Sequence, residues 1–157
     1  MKLIKTSLLL VLLAISNLAS AACGFADYGE NAVLNHMFRG TAYSESSPAS
    51  YYVALYTTAC ADTAGTEVTG GSYARVAISR ATGAWNATDG SNGIISNVGA
   101  ITFPAATADW GTVQSWCLMD ASTVGNPVVC ANLTASRNIT TGSTPSYAAS
   151  ALTITLD

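Results

Sequence analysis

Ser115-Trp116-Cys117-Leu118-Met119 and Val128-Val129-Cys130-Ala131-Asn132, separated by Ser122-Thr123-Val124-Gly125-Asn126, decide the fold of this chain. Both flanking runs are rich in aromatic, aliphatic and β-branched residues, and the segment between them has turn chemistry. Folding the hairpin symmetrically about Thr123 and Val124 sets Cys117 opposite Cys130 on one face. Period-two runs continue on either side. Tyr51-Tyr52-Val53-Ala54-Leu55-Tyr56-Thr57-Thr58 and Tyr73-Ala74-Arg75-Val76-Ala77-Ile78-Ser79 read as strands, with Gly65-Thr66-Glu67 and Gly70-Gly71-Ser72 as punctuation. Shorter strand pieces fall at Trp85, Ile94-Ile95 and Ala100-Ile101-Thr102-Phe103, around the Gly-Ser-Asn-Gly loop at 90–93. Arg137-Asn138-Ile139-Thr140 and Ser146-Tyr147-Ala148 follow, and Leu152-Thr153-Ile154-Thr155-Leu156 alternates strictly to the end. Roughly eight short strands at this spacing predict an all-β fold, an antiparallel β-sandwich of jelly-roll-like character.

One helix precedes the strands. Asp27 is placed to cap it, Glu30 follows as in a capping box, and Gly40 closes the other end, so the helix spans 27–39. Val33, Leu34, Met37 and Phe38 fall on one broad apolar face, with His36 beside it near the helix end.

The first 21 residues read differently from the rest. Lys2 and Lys5 start the chain, Leu8-Leu9-Leu10-Val11-Leu12-Leu13-Ala14-Ile15 is a short apolar core, and Ala19-Ser20-Ala21 is a small-x-small cleavage pattern. The run is too short for a membrane span, which takes about 20 apolar residues. The expectation is a secretory signal peptide over 1–21, cut between Ala21 and Ala22, and a single domain over 22–157 outside the cytoplasm. Removing the leader leaves Arg39, Arg75, Arg80 and Arg137 against nine acidic residues, a mature net charge of −5 without any lysine. That balance excludes a phosphate-binding basic stripe, hence nucleic acid, and disfavours anionic membrane surfaces. No stable membrane span is expected after cleavage.

Four cysteines, Cys23, Cys60, Cys117 and Cys130, meet an oxidising compartment. The hairpin pairs Cys117 with Cys130 and leaves Cys23 for Cys60. Metal binding competes weakly, because no C-x-x-C occurs and the single histidine, His36, lies on another element. Acylation of Cys23 is a second competitor, but Ser20-Ala21-Ala22-Cys23 lacks the leucine of a lipoprotein signal and would leave Cys60 unpaired.

Catalytic constellations are missing from the pattern. No serine sits in G-x-S-x-G, His36 has no nearby acid–nucleophile pair, and the carboxylates lie beside turn formers. Asp89-Gly90-Ser91-Asn92-Gly93 lacks the alternating acids and terminal glutamate of a calcium loop. No catalytic, cofactor or metal residues are assigned. Tyr51, Tyr52, Tyr56, Trp85, Trp110 and Trp116 offer material for a sugar-stacking platform, though alternation divides them between faces.

Two segments carry a family resemblance: Gly65-Thr66-Glu67-Val68-Thr69-Gly70-Gly71-Ser72-Tyr73-Ala74-Arg75 and Ile101-Thr102-Phe103-Pro104-Ala105-Ala106-Thr107-Ala108-Asp109-Trp110-Gly111-Thr112-Val113. With the 31–38 helix segment, Tyr52–Thr57, the Asp120-Ala121 turn and the ending Ala151–Asp157, the chain resembles a phage family usually labelled tail fibre or minor tail proteins. The resemblance covers 27–157 in matching order and implies a small, all-β virion structural domain with no assigned catalytic residues. Cys117 and Cys130 stand where that family tends to have glycines, and Cys60 where a proline is usual. Gains at two facing positions are what a cross-strand disulfide requires. An export signal is a further departure, since phage structural proteins assemble in the cytoplasm. The expected function is a non-enzymatic structural or adhesive protein, disulfide-stabilised and self-associating or bound to a host surface or glycan. A filament would form by adding the terminal strand or the mature N-terminus to the next copy. A lectin-like carbohydrate-binding module is the alternative.

Overall fold

The computed structural model describes residues 24–42, 49–88 and 93–156. In chain order it contains β1 (Gly24–Phe25), α1 (Asp27–Arg39), β2 (Ser50–Tyr56), β3 (Val76–Ser79), β4 (Ile94–Ser96), β5 (Ile101–Thr102), β6 (Gly111–Met119), β7 (Pro127–Ile139), β8 (Ser146–Tyr147) and β9 (Thr153–Thr155). Among the described residues the fold is all-β, with antiparallel strand pairing and one short α-helix.

The main sheet has the order β1-β7-β6-β2-β3, and its spine is the β6–β7 hairpin. From Ser115↔Asn132 to Leu118↔Val129 the register is symmetric about 123/124, which sets Cys117 against Cys130. Past Leu118 the register slips, Met119 facing Pro127, so Val128 is an extra residue on β7. The bulge lets Val128 and its neighbour Val129 both enter the same core, which strict alternation forbids. A second slip separates the Ser115 and Val113 pairs. Arg137–Ile139, expected as a separate strand, is thereby the far end of β7.

The sheet has two apolar faces. Val53, Leu55, Trp116, Leu118 and Val129 pack with Ile101, Phe103, Trp110 and Leu152 in the larger core. The alternate residues Ala54, Tyr56, Cys117, Met119 and Cys130 form a smaller cluster with Cys60. The layer over the larger core consists of two short pairs, β4–β9 and β5–β8. Asn97 ties these pieces together. It is fully buried, donates from Nδ2 to the carbonyls of Gly99 (2.7 Å) and Ala148 (2.8 Å), and accepts the Leu152 N–H at Oδ1 (2.8 Å). A buried amide with both donor hydrogens used replaces the sheet ladder where strands are too short to provide one.

Helix α1 forms over the expected residues and ends in Gly40, whose φ of 63° is the left-handed cap conformation. Two expectations about it change. The N-cap is Ala26, so Asp27 lies inside the first turn with Glu30, favourable for the helix dipole but not as a capping side chain. Of the expected apolar face Val33 is half-buried, but Leu34, Met37 and Phe38 do not pack inward; they are 54, 66 and 76% exposed. The buried residue of the helix is Gly29, set against the Val128 carbonyl and the Phe25 ring. Close approach through a residue without Cβ fixes which side of the helix meets the sheet, and that side faces away from Leu34 and Phe38.

Gly29→Ala therefore lowers stability by about 1–2 kcal/mol through overpacking against backbone, although alanine raises helix propensity by about 1 kcal/mol. Urea unfolding checks this; an increased midpoint would show that α1 does not dock through Gly29.

Candidate functional site

The two segments that carry the family resemblance meet in space. Gly70 and Gly71, at φ 73° and 53°, turn the chain so that the Gly71 carbonyl accepts both the Thr107 N–H and the Trp110 indole N–H at 2.9 Å. A Cβ at Gly71 would lie 2.9 Å from that indole nitrogen, so the contact needs glycine. Tyr73 then packs between two aromatic rings of the other segment. It stacks on Phe103 at 6.3 Å and meets Trp110 edge-on at 5.3 Å.

The Tyr73 hydroxyl begins a polar chain at the edge of this cluster. It accepts the Leu55 N–H and donates to Glu67 Oε1, both at 2.9 Å. Burial is the main reason its phenol stays protonated far above the ordinary tyrosine range. Glu67 in turn receives a two-pronged ion pair from Arg75, Nε to Oε1 at 2.8 Å and Nη2 to Oε2 at 2.7 Å. These hydrogen bonds raise the Arg75 pKa despite partial burial of the guanidinium, so it remains charged. The remaining prong, Nη1, donates to the carbonyls of Ala121 and Val124 at 2.7 Å each. The guanidinium fork is suited to this double duty, since its planar donors point in fixed directions.

The hairpin tip is thus held from below by Arg75. It is also closed across its mouth by Asp120, which accepts the Asn126 N–H (2.6 Å) and side-chain amide (3.0 Å). At its apex Val124 has φ 56° and is 85% exposed. A β-branched residue in the left-handed region is strained and is kept there by surrounding contacts. The arrangement clamps and presents a loop. It contains neither a nucleophile nor a base poised against one.

Behind the hairpin, Cys117 and Cys130 are joined by a disulfide with Cα atoms 4.1 Å apart, the spacing of a closely opposed cross-strand pair. Cys60 is buried and disulfide-bonded. Its N–H donates to Asn132 Oδ1 at 2.8 Å, and Ser115 Oγ donates to the Thr58 carbonyl at 2.7 Å, so the 57–66 loop is stitched to the hairpin. The expected partner Cys23 and the cleavage residues Ala21 and Ala22 lie outside the described residues, as do residues 89–92 of the loop weighed for calcium.

The aromatic platform does not assemble. Trp110, Trp116 and Tyr56 are core residues, Tyr52 is half-buried against the smaller cluster on the other face of the sheet, and Tyr51 and Trp85, also half-buried, lie beside an apolar cleft of about 420 Å³. Arg80 sits over the Tyr51 ring at 5.4 Å, and the Trp85 indole donates to the Ser79 carbonyl at 2.8 Å. His36 is exposed on α1, its Nδ1 3.2 Å from the Thr41 carbonyl. Among the described residues no group of three or more His, Cys, Asp or Glu side chains comes together as metal ligands would. Among them, too, no helix is long and apolar enough to cross a membrane. The Arg75 bridge to the hairpin tip and the Asn97 hub were not anticipated. A lone Arg beside a strand and an Asn in a loop carry no spacing signal.

A clamped hairpin on an all-β scaffold is a structural module. The chain belongs to the podophage GP4 fiber I protein gp80 family, whose model matches residues 24–155. It is thus a structural protein of the phage fibre class, associated with the virion. No curated protein matches it.

Two outcomes follow from the clamp. Arg75→Met leaves Glu67 with an unpaired charge and frees the tip, at a cost of about 3 kcal/mol, the lower end for breaking a buried pair. Hydrogen exchange checks it through faster exchange at Ala121–Asn126; unchanged exchange there would show that Arg75 does not hold the tip. The tyrosines predict the alkaline limit. Burial raises the Tyr56 pKa from 10.0 to about 12 and moves Tyr73 and Tyr147 higher still. A phenol whose folded pKa is raised contributes stability that is complete below pH 10 and is lost as pH climbs through the folded value. Ultraviolet titration therefore shows these three ionising only together with unfolding, above the ordinary tyrosine range.

Proposed function

We propose that this protein is an exported, non-enzymatic subunit of a fibre or surface filament. Residues 1–21 act as its leader, cut after Ala21, and residues 22–157 form one mature domain. The reading is supported above all by the Cys117–Cys130 disulfide in a fibre-family domain. Such a bond forms and persists in oxidising compartments, not in a reducing cytoplasm. A Cys23–Cys60 bridge would add a second staple, tying the mature N-terminus to the loop after β2. Each closed loop contributes about 2–4 kcal/mol.

The mature chain carries few charges and is polar through Ser, Thr, Asn and Gly, a surface suited to packing against copies of itself. Strand addition by the chain ends is constrained. Gly24–Phe25 already pairs with β7, and Thr153–Thr155 with β4, so each has one edge committed within its own chain. The other edge of each has no strand partner among the described residues, so addition to the next copy would use that edge, alongside side-chain surfaces. The lectin-like alternative has less support, because Trp110, Trp116 and Tyr56 are buried and only Tyr51, Tyr52 and Trp85 of its aromatics are half-buried.

Mass spectrometry and negative-stain microscopy of the exported product test this reading. The expected product begins at Ala22, carries two disulfides and forms filaments or closed oligomers. An unprocessed chain retained in the cytoplasm with free thiols would overturn export. A strictly monomeric product at all concentrations would overturn assembly.

A further inference from the structure

We infer that the pocket between β7 and β8 is a binding site for a small carboxylate with an apolar body about the size of one ring. The site is independent of assembly, since one copy of the chain supplies all of it.

The pocket exists because β7 carries more residues than the strand it pairs with. Between the Ser115↔Asn132 and Val113↔Arg137 pairs, Gln114 alone on β6 faces Leu133, Thr134, Ala135 and Ser136 on β7. The surplus residues bow β7 away from β6, as bulges do. Leu133, Ala135 and Arg137 from the bow, Phe103 and Val113 from the core, and Tyr147 from β8 line the space that results. Its volume is about 210 Å³. A dry cavity of about 150 Å³ accepts a benzene ring, so this pocket has room for one ring and one carboxylate.

Two polar groups in the lining lack partners. Four arginines follow residue 21, and three of them are engaged. Arg39 donates to Asn35 Oδ1, Arg75 is paired with Glu67, and Arg80 lies over the Tyr51 ring. Arg137 is exposed, and among the described residues no side chain pairs with its guanidinium. On β8 the Tyr147 hydroxyl is buried and has no hydrogen-bond partner. A buried hydroxyl left unsatisfied is rare in folded proteins and destabilises the empty fold. Both groups call for an acceptor, because a guanidinium only donates and the phenol has a hydrogen to give. A carboxylate is acceptor-only on two oxygens, so one such group answers both. Among the described residues the lining holds no acidic side chain to compete for Arg137. The walls select the rest of the ligand. A hydrocarbon ring gains by leaving water against Leu133, Phe103 and Val113, whereas a sugar ring would leave most of its hydroxyls unpaired there.

Titration of the folded protein by proton–nitrogen correlation NMR tests the site. Benzoate shifts the amides of Leu133–Ile139, Ser146 and Tyr147 saturably, with a dissociation constant of about 1 mM or tighter for a ligand of this size. Benzyl alcohol keeps the ring without the charge and binds at least about tenfold more weakly. Glucuronate keeps the charge on a polar ring and gives no saturable shift. Arg137→Gln weakens benzoate about tenfold, as loss of a charge-assisted hydrogen bond requires. Tyr147→Phe keeps the ring and deletes the orphan hydroxyl. It therefore weakens benzoate about tenfold while raising the urea midpoint of the ligand-free protein, a pair of effects that a purely structural tyrosine would not give. No saturable benzoate shift at these amides would overturn the site. Equal affinity for benzyl alcohol, or unchanged affinity in Arg137→Gln, would overturn the carboxylate. Tighter binding of glucuronate than of benzoate would overturn the apolar body. A Tyr147→Phe protein that binds benzoate like the wild type would overturn the part given to the hydroxyl.

Discussion

Everything in this molecule hangs on the register of β6 against β7. Because side chains alternate along a strand, a slip of one residue would exchange the two faces of the hairpin. Trp116, Leu118 and Val129 would leave the large core, and the cysteines would enter it. Three features hold the register where it is. The Cys117–Cys130 bond joins directly opposed residues. The bulge at Val128 allows two successive valines on one face. The tip is closed by Asp120 and anchored by Arg75. Covalent, packing and polar constraints thus agree on one alignment, which is the condition for a single native state.

The family-like segments acquire a physical meaning from this. Glu67, Tyr73, Arg75, Phe103 and Trp110 are separated along the chain, yet they form one connected support for the hairpin tip. Gly71 is part of it because its carbonyl must reach the Trp110 indole, which a side chain at that position would obstruct. The support works through stacking beneath and a charged fork above. Rigid presentation of a protruding loop suits a structural protein of the phage fibre class. Nothing in the clamp moves a proton or activates a nucleophile.

The helix and the cleft lie apart from that support. Their apolar groups are left uncovered by the chain's own packing, in one case through the close contact at Gly29 and in the other through the shortness of the β4–β9 pair. Short strands give an incomplete second layer, which Asn97 compensates with side-chain hydrogen bonds. The same incompleteness leaves a groove between the layers, an opening that a longer sheet would close.

Much of the fold was legible in local pattern. Alternation in Tyr51–Tyr56 and in the hairpin strands, with turn chemistry between them, is enough to define antiparallel β-structure, and Gly40 marks the end of α1. These signals are visible because the physics behind them is short-range: pleat, turn dihedrals and helix caps depend on near neighbours. Which face of α1 is buried was not legible, because apolar periodicity alone points to Leu34, Met37 and Phe38. The contact that decides it is between Gly29 and a carbonyl about a hundred residues away. The fate of the aromatics was equally hidden. Trp110 counts among the rings offered for a surface platform until the Gly71 carbonyl meets its indole and Tyr73 packs against it. The sequence by itself therefore determined the class of fold, the strand and helix positions and the supply of cysteines. Tertiary structure alone decided which apolar residues became core, which charges became a clamp and which surfaces were left open. Those outcomes depend on who meets whom across the chain.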